Sequence, residues 1–165
     1  MAKKRMFRSV LVTGVLIGAA LVSTLLAQAS NKSGGPSIRG AGTTIVEGGT
    51  GSPSFAPLIT KVAFRWRGGE GRFECLALTP SAAAGAPGSG NFDMNVMYVT
   101  GTVTSGAITG QTAVLKGSAT VTGVGAGSSQ AFTATIARGG PGATLALEVS
   151  GLTFKEILLD GQFRF

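Results

Sequence analysis

The feature that most constrains this chain is a period-two alternation of apolar and polar residues, repeated in short runs that glycine separates. KVAFRWRG places Val62, Phe64 and Trp66 on one face and Ala63, Arg65 and Arg67 on the other. RFECLAL sets Phe73, Cys75 and Ala77 against Arg72, Glu74 and Leu76, and FDMNVMYVTGTVT sets Phe92, Met94 and Val96 against Asp93, Asn95 and Met97. TAVLKGSATVTG, QAFTATIARGG, ATLALEVSG, LTFKEILL and GQFRF continue the pattern, with Leu145, Leu147 and Val149 in phase. Strand side chains alternate between faces, so each run reads as a half-buried strand. No window shows apolar residues at helical spacing without glycines or β-branched runs interrupting it. Turn signals recur at Gly48-Gly49, Gly68-Gly69, Ser105-Gly106, Gly123 to Gly127, Gly139 to Gly142 and Asp160-Gly161. That spacing predicts an all-β fold, an antiparallel sandwich or up-and-down barrel of about eight or nine strands. Thr79-Pro80 is expected to end a strand, and Pro80 to Gly90 to form the one long loop.

Ahead of the β region lies a different composition. Lys3, Lys4, Arg5 and Arg8 precede an uncharged run from Val10 to Leu26, which leads into Ala27-Gln28-Ala29 and a polar SNKSGG. This is the layout of a secretory signal helix cleaved after Ala29. The alternative is a retained anchor, since the run reaches the lower limit of about 17 residues for a spanning helix. Either way the remainder is expected outside the cytoplasm, secreted, periplasmic or at the cell surface, because the positive end stays inside. The expected organisation is a signal over 1–29, a linker over 30–37 and a β domain over 38–165.

The formal charge of +7 is largely local to that leader. Of 14 basic residues four lie there, and the other ten face seven acidic ones, leaving +3. Such a balance concerns solubility rather than nucleic-acid binding, and no nucleic-acid partner is expected. Histidine is absent, which removes the commonest general base, the commonest metal ligand and every imidazole-dependent triad. Cys75 is the single cysteine, so no intrachain disulfide and no cysteine-based zinc site can form. Its register with Phe73 and Ala77 predicts a buried, unreactive thiol. No P-loop, dinucleotide fingerprint, EF-hand or metal cluster is present, and no cofactor is expected.

The stretch from Gly101 to Phe165, with GTVTSG, AVLKGSATVTG, AFTATIARGGPGATLALEVSG and a closing short strand, resembles the post-COAP domain, a Gly-rich β domain of secreted and surface proteins of bacteria. IRGAGTTI from Ile38 and GRFECLAL from Gly71 echo it more weakly. The resemblance implies an exported β module; it implies no enzymatic activity and no site residues. The family's domain is usually appended to another protein, whereas here it would stand alone after a signal.

Three candidate constellations remain. Glu70 with Glu74, and Glu156 with Asp160, are carboxylate pairs, but residues four apart on a strand lie about 13 Å apart, beyond the reach of a glycosidase pair. They are expected to be solvated charges. Arg65, Arg67 and Arg72 are expected on the polar faces of adjacent hairpin strands, where they could bind an anion on a polysaccharide, lipid headgroup or protein. Phe165 and Phe163, with Leu159 and Ile157 in phase, resemble the last strand of an outer-membrane barrel, although one Trp and one Tyr leave its aromatic girdles unbuilt. The leading expectation is a non-enzymatic exported β domain with a structural or interaction role. Its partner would be an envelope polysaccharide or another surface protein, with membrane contact only through a retained N-terminal segment. The alternatives are a carrier of a small apolar ligand, lined by Phe64, Trp66, Phe73, Phe92, Met94 and Phe132, and a small barrel cyclase or isomerase using one or two carboxylates.

Overall fold

The computed structural model describes residues 35–52, 57–81 and 90–165. The expected signal, most of the linker and residues 82–89 of the long loop lie outside them. Eight strands follow in order: β1 Ser37–Gly48, β2 Ile59–Arg67, β3 Glu70–Pro80, β4 Phe92–Thr109, β5 Thr112–Gly123, β6 Gly127–Ala137, β7 Thr144–Val149 and β8 Leu152–Arg164. Each pairs antiparallel with the next, and β8 pairs back onto β1 from Arg164↔Arg39 to Lys155↔Gly48. The fold is therefore a closed up-and-down barrel, not a sandwich. No helix occurs among the described residues.

Closure sends one face of every strand inward. Ile38, Val62, Phe64, Phe73, Cys75, Val99, Leu115, Phe132, Ile136, Leu147, Phe154 and Phe163 form one buried core. Phe73 and Phe163 are 0% exposed. Four rings cross the interior as a chain, with centroids 5.2 Å apart for Phe163–Phe64, 6.5 Å for Phe64–Phe73 and 5.1 Å for Phe73–Phe132. Glycines make room for them. A Cβ on Gly40 would lie 2.5 Å from Phe64 Cζ and 2.6 Å from Phe163 Cδ1, and one on Gly117 would lie 2.9 Å from Phe132 Cε1. Each fully buried phenylalanine stabilises the fold by about 1.5–3 kcal/mol relative to exposure. The outer wall carries Thr100, Thr102, Thr120, Thr135, Lys61, Lys155 and the arginines. An apolar interior is the reverse of the polar-in, apolar-out pattern of a lipid-facing barrel.

Two expected turns are strand interior. Ser105-Gly106 lies within β4, which pairs with β5 on both sides of an irregularity between Val103 and Ser105. Gly106 is small there because the Trp66 ring occupies the space, 2.6 Å from where a Cβ would sit. Asp160-Gly161 lies within β8 at a bulge: Thr43 faces Asp160 and Thr44 faces Leu158, leaving Leu159 unpaired. Gly161 supplies the positive φ of 112° at this bulge. The β7–β8 turn is instead Ser150-Gly151, with φ of 53° and 73°, the two left-handed residues of a tight hairpin turn.

Bulges also correct two faces. Leu78 pairs with Asn95 and Ala77 with Met97, so Val96 is the extra residue. Met97 and Val99 point inward, while Phe92 and Met94 are 36% and 49% exposed, opposite to the expected phase. In β8 the inward set is Phe154, Glu156 and Leu158, with Leu159 exposed and Ile157 half-buried.

Candidate functional site

The three arginines singled out in the sequence come together on the outer wall. Arg65 and Arg72 are direct cross-strand partners on β2 and β3, and Arg67 faces Glu70 beside their turn. The barrel adds two that the sequence reading passed over. Arg39 on β1 pairs with Arg65, and Arg164 on β8 pairs with Arg39. Arg164, Arg39, Arg65 and Arg72 thus form an unbroken outward row across four successive strands, all exposed. Strand spacing of about 4.8 Å makes the row roughly 15 Å long at the backbone, and the convex wall spreads the guanidinium groups further. Arg72 is followed across the next pair by Thr102.

The local sequence places each arginine. Ile38-Arg39, Phe64-Arg65, Arg72-Phe73 and Phe163-Arg164 each join an arginine to a buried residue. The neighbour's burial turns the arginine outward. Those dipeptides were the available signal for Arg39 and Arg164; missing was the closure of β8 onto β1, which no local pattern reports. Arg138 lies beside the Arg164 end of the row, because Gly139 bridges antiparallel to Phe163; it sits 4.7 Å over the Phe165 ring and donates to the Phe165 carbonyl.

Like charges directly opposite one another in a sheet are destabilising. The row holds three such pairs in succession, so folding alone gives no reason for it. Arg39, Arg65 and Arg72 of the row border a hollow of about 830 Å³ at the β2–β3 hairpin, shared with Ser37, Trp66, Glu70 and Thr102. The buried indole N–H of Trp66 has no acceptor in the protein. Guanidinium groups present planar forks of donors matched to carboxylate, sulfate or phosphate oxygens.

The acidic residues divide differently from the expectation. Glu70, Glu74, Glu148 and Asp160 are exposed, but Glu156 is 2% exposed and points into the barrel. This corrects its reading as a solvated charge, and the β8 bulge is the reason. Its Oε2 accepts from the hydroxyls of Thr44 and of Thr60, the latter at 2.6 Å, and the two hydroxyl oxygens lie against each other. Its Oε1 has no partner. Burial pushes the Glu156 carboxyl above the usual carboxylate range, against the two threonine hydrogen bonds that favour the charged form. Cys75 is buried as expected, its thiol pushed well up by burial and then by the neighbouring Glu156, with a Thr60 hydrogen bond opposing. A thiol held protonated is a poor nucleophile. Among the described residues no three His, Cys, Asp or Glu side chains are placed to hold a metal ion.

No family model matches the chain, and neither a curated protein nor a solved structure does.

Proposed function

We propose that this protein is an exported, non-catalytic β-barrel that serves as an interaction module at the cell envelope or outside the cell, docking an anionic partner against its arginine-bearing wall. The observation that carries the reading is the row Arg164–Arg39–Arg65–Arg72, whose mutual repulsion in the free protein an anion relieves. The signal-like N-terminus and the likeness to a module of bacterial surface proteins support the exported setting. The absence of histidine, the raised Cys75 thiol and the enclosure of Glu156 support a role without turnover.

Salt elution of the exported protein from a sulfonate resin tests this. The triple variant Arg39→Ser, Arg65→Ser, Arg72→Ser is expected to elute at much lower salt than the triple variant Lys61→Ser, Lys116→Ser, Lys155→Ser, although both lose the same charge. The arginine variant should also melt no lower than the parent, because like-charged pairs are removed. Equal elution shifts would reduce the effect to net charge and remove the reading.

A further inference from the structure

We infer that the partner is a linear acidic polysaccharide that lies across the strands, meeting one arginine per strand with one anionic sugar after another. This rests on the reading of the row as an anion-docking face. A line of four like charges on successive strands matches a polymer of repeating anions better than it matches an isolated ion, which needs one or two forks. A thin chain can follow the convex wall around the barrel; a bilayer surface offers a plane and favours apolar anchors beside the charges. The exposed large apolar residues Phe92, Met94, Val124 and Leu159 are outside the row and outside the hollow beside it.

The flanks of the row point the same way. On one side the register places Gln162, Ala41, Ala63 and Glu74 in a parallel outer row, and on the other Ser37, Arg67 and Glu70. Ala41 and Ala63 leave a flat floor on which a sugar ring can rest; Ser37 and the amide N–H groups of Gln162, whose Oε1 accepts from Arg164, offer partners to its hydroxyls. Glu70 and Glu74 bracket Arg72 along β3. They leave a narrow positive lane and repel a broad polyanion such as a nucleic-acid duplex. Every cation of the row is arginine, whereas Lys61, Lys116 and Lys155 stand outside it. Arginine's fork, not charge alone, is what pairs bidentately with a uronate carboxylate or sugar sulfate.

Titration calorimetry on the full exported protein separates the outcomes, with polygalacturonate, its tetramer and the monomer as probes. Inorganic phosphate, single-stranded DNA and phosphatidylglycerol vesicles serve as rivals. Polymer and tetramer are expected to bind at least about a hundredfold more tightly than the monomer, because the later contacts become intramolecular. The charge-conserving variant Arg39→Lys, Arg65→Lys, checked for an unchanged melting curve, should bind the tetramer several-fold more weakly. Equal binding by that variant, or no gain from monomer to tetramer, would overturn the inference. Tight binding of DNA or vesicles without binding of the uronate polymer would also overturn it while leaving the docking face intact. Binding of none of these anions would remove the docking face as well.

Discussion

Glu156 sits between Thr44 and Thr60 with one carboxyl oxygen unpartnered, in a barrel interior whose other inward side chains are apolar apart from the Cys75 thiol. A charged carboxylate there loses its hydration and recovers only two hydroxyl partners, so the neutral form is favoured. Its folded pKa therefore lies above the unfolded value of about 4.3. The stability this gives is fully present below the unfolded value and is lost as pH rises through the folded one, since the folded state then holds a proton that the unfolded state has released. Denaturant midpoints of the parent are expected to fall as pH rises from about 4.3. Those of Glu156→Gln, neutral at every pH, should lack that component and at alkaline pH should meet or exceed the parent. Parallel slopes for the two proteins would mean that Glu156 is not the titrating group. In sequence nothing marked this residue as buried. KEIL reads equally well in either phase, and the phase is set by an extra residue three positions on.

At the scale of elements, the regular stretches of alternation were legible and the irregularities were not. Val62 to Trp66, Phe73 to Ala77 and Leu145 to Val149 hold the expected faces throughout, because each runs uninterrupted between turns. The phase of β4 before Val96 and of β8 around Leu159 was misread where one unpaired residue flips every side chain beyond it. Asp-Gly reads as a hairpin turn by local preference, but the same left-handed glycine serves a bulge when the strand continues to pair on both sides. Gly161 makes this distinction measurable. A Cβ there would press on the Ala41 carbonyl oxygen across the β1–β8 seam, on a backbone with φ of 112°. Gly161→Ala is expected to destabilise the barrel by about 1–3 kcal/mol, read from the denaturant midpoint. A neutral substitution would fit an open turn and contradict the seam.

Over the whole molecule, alternation alone left sandwich and barrel equally open, since both bury one face of each strand. What decides between them is the pairing of β8 with β1, a contact between residues more than a hundred positions apart. The same contact completes the arginine row. Arg65 and Arg72 were visible as hairpin neighbours, while Arg39 and Arg164 join them only when the sheet closes. Fold and candidate site are in this sense one fact. The interior chain of Phe163, Phe64, Phe73 and Phe132 draws the strands together, and the burial of Phe163, Phe64, Phe73 and Ile38 turns the adjacent arginines outward. The most direct measurement is therefore a titration of the nitrogen-15-labelled protein with a sulfated oligosaccharide, following the arginine Nε–H and backbone amide resonances. Those of Arg39, Arg65, Arg72 and Arg164 are expected to shift together and saturate at one concentration, with the backbone amides of Lys116 and Lys155 unmoved. Shifts spread evenly over the lysine-bearing faces, or none at the four arginines, would contradict the docking row.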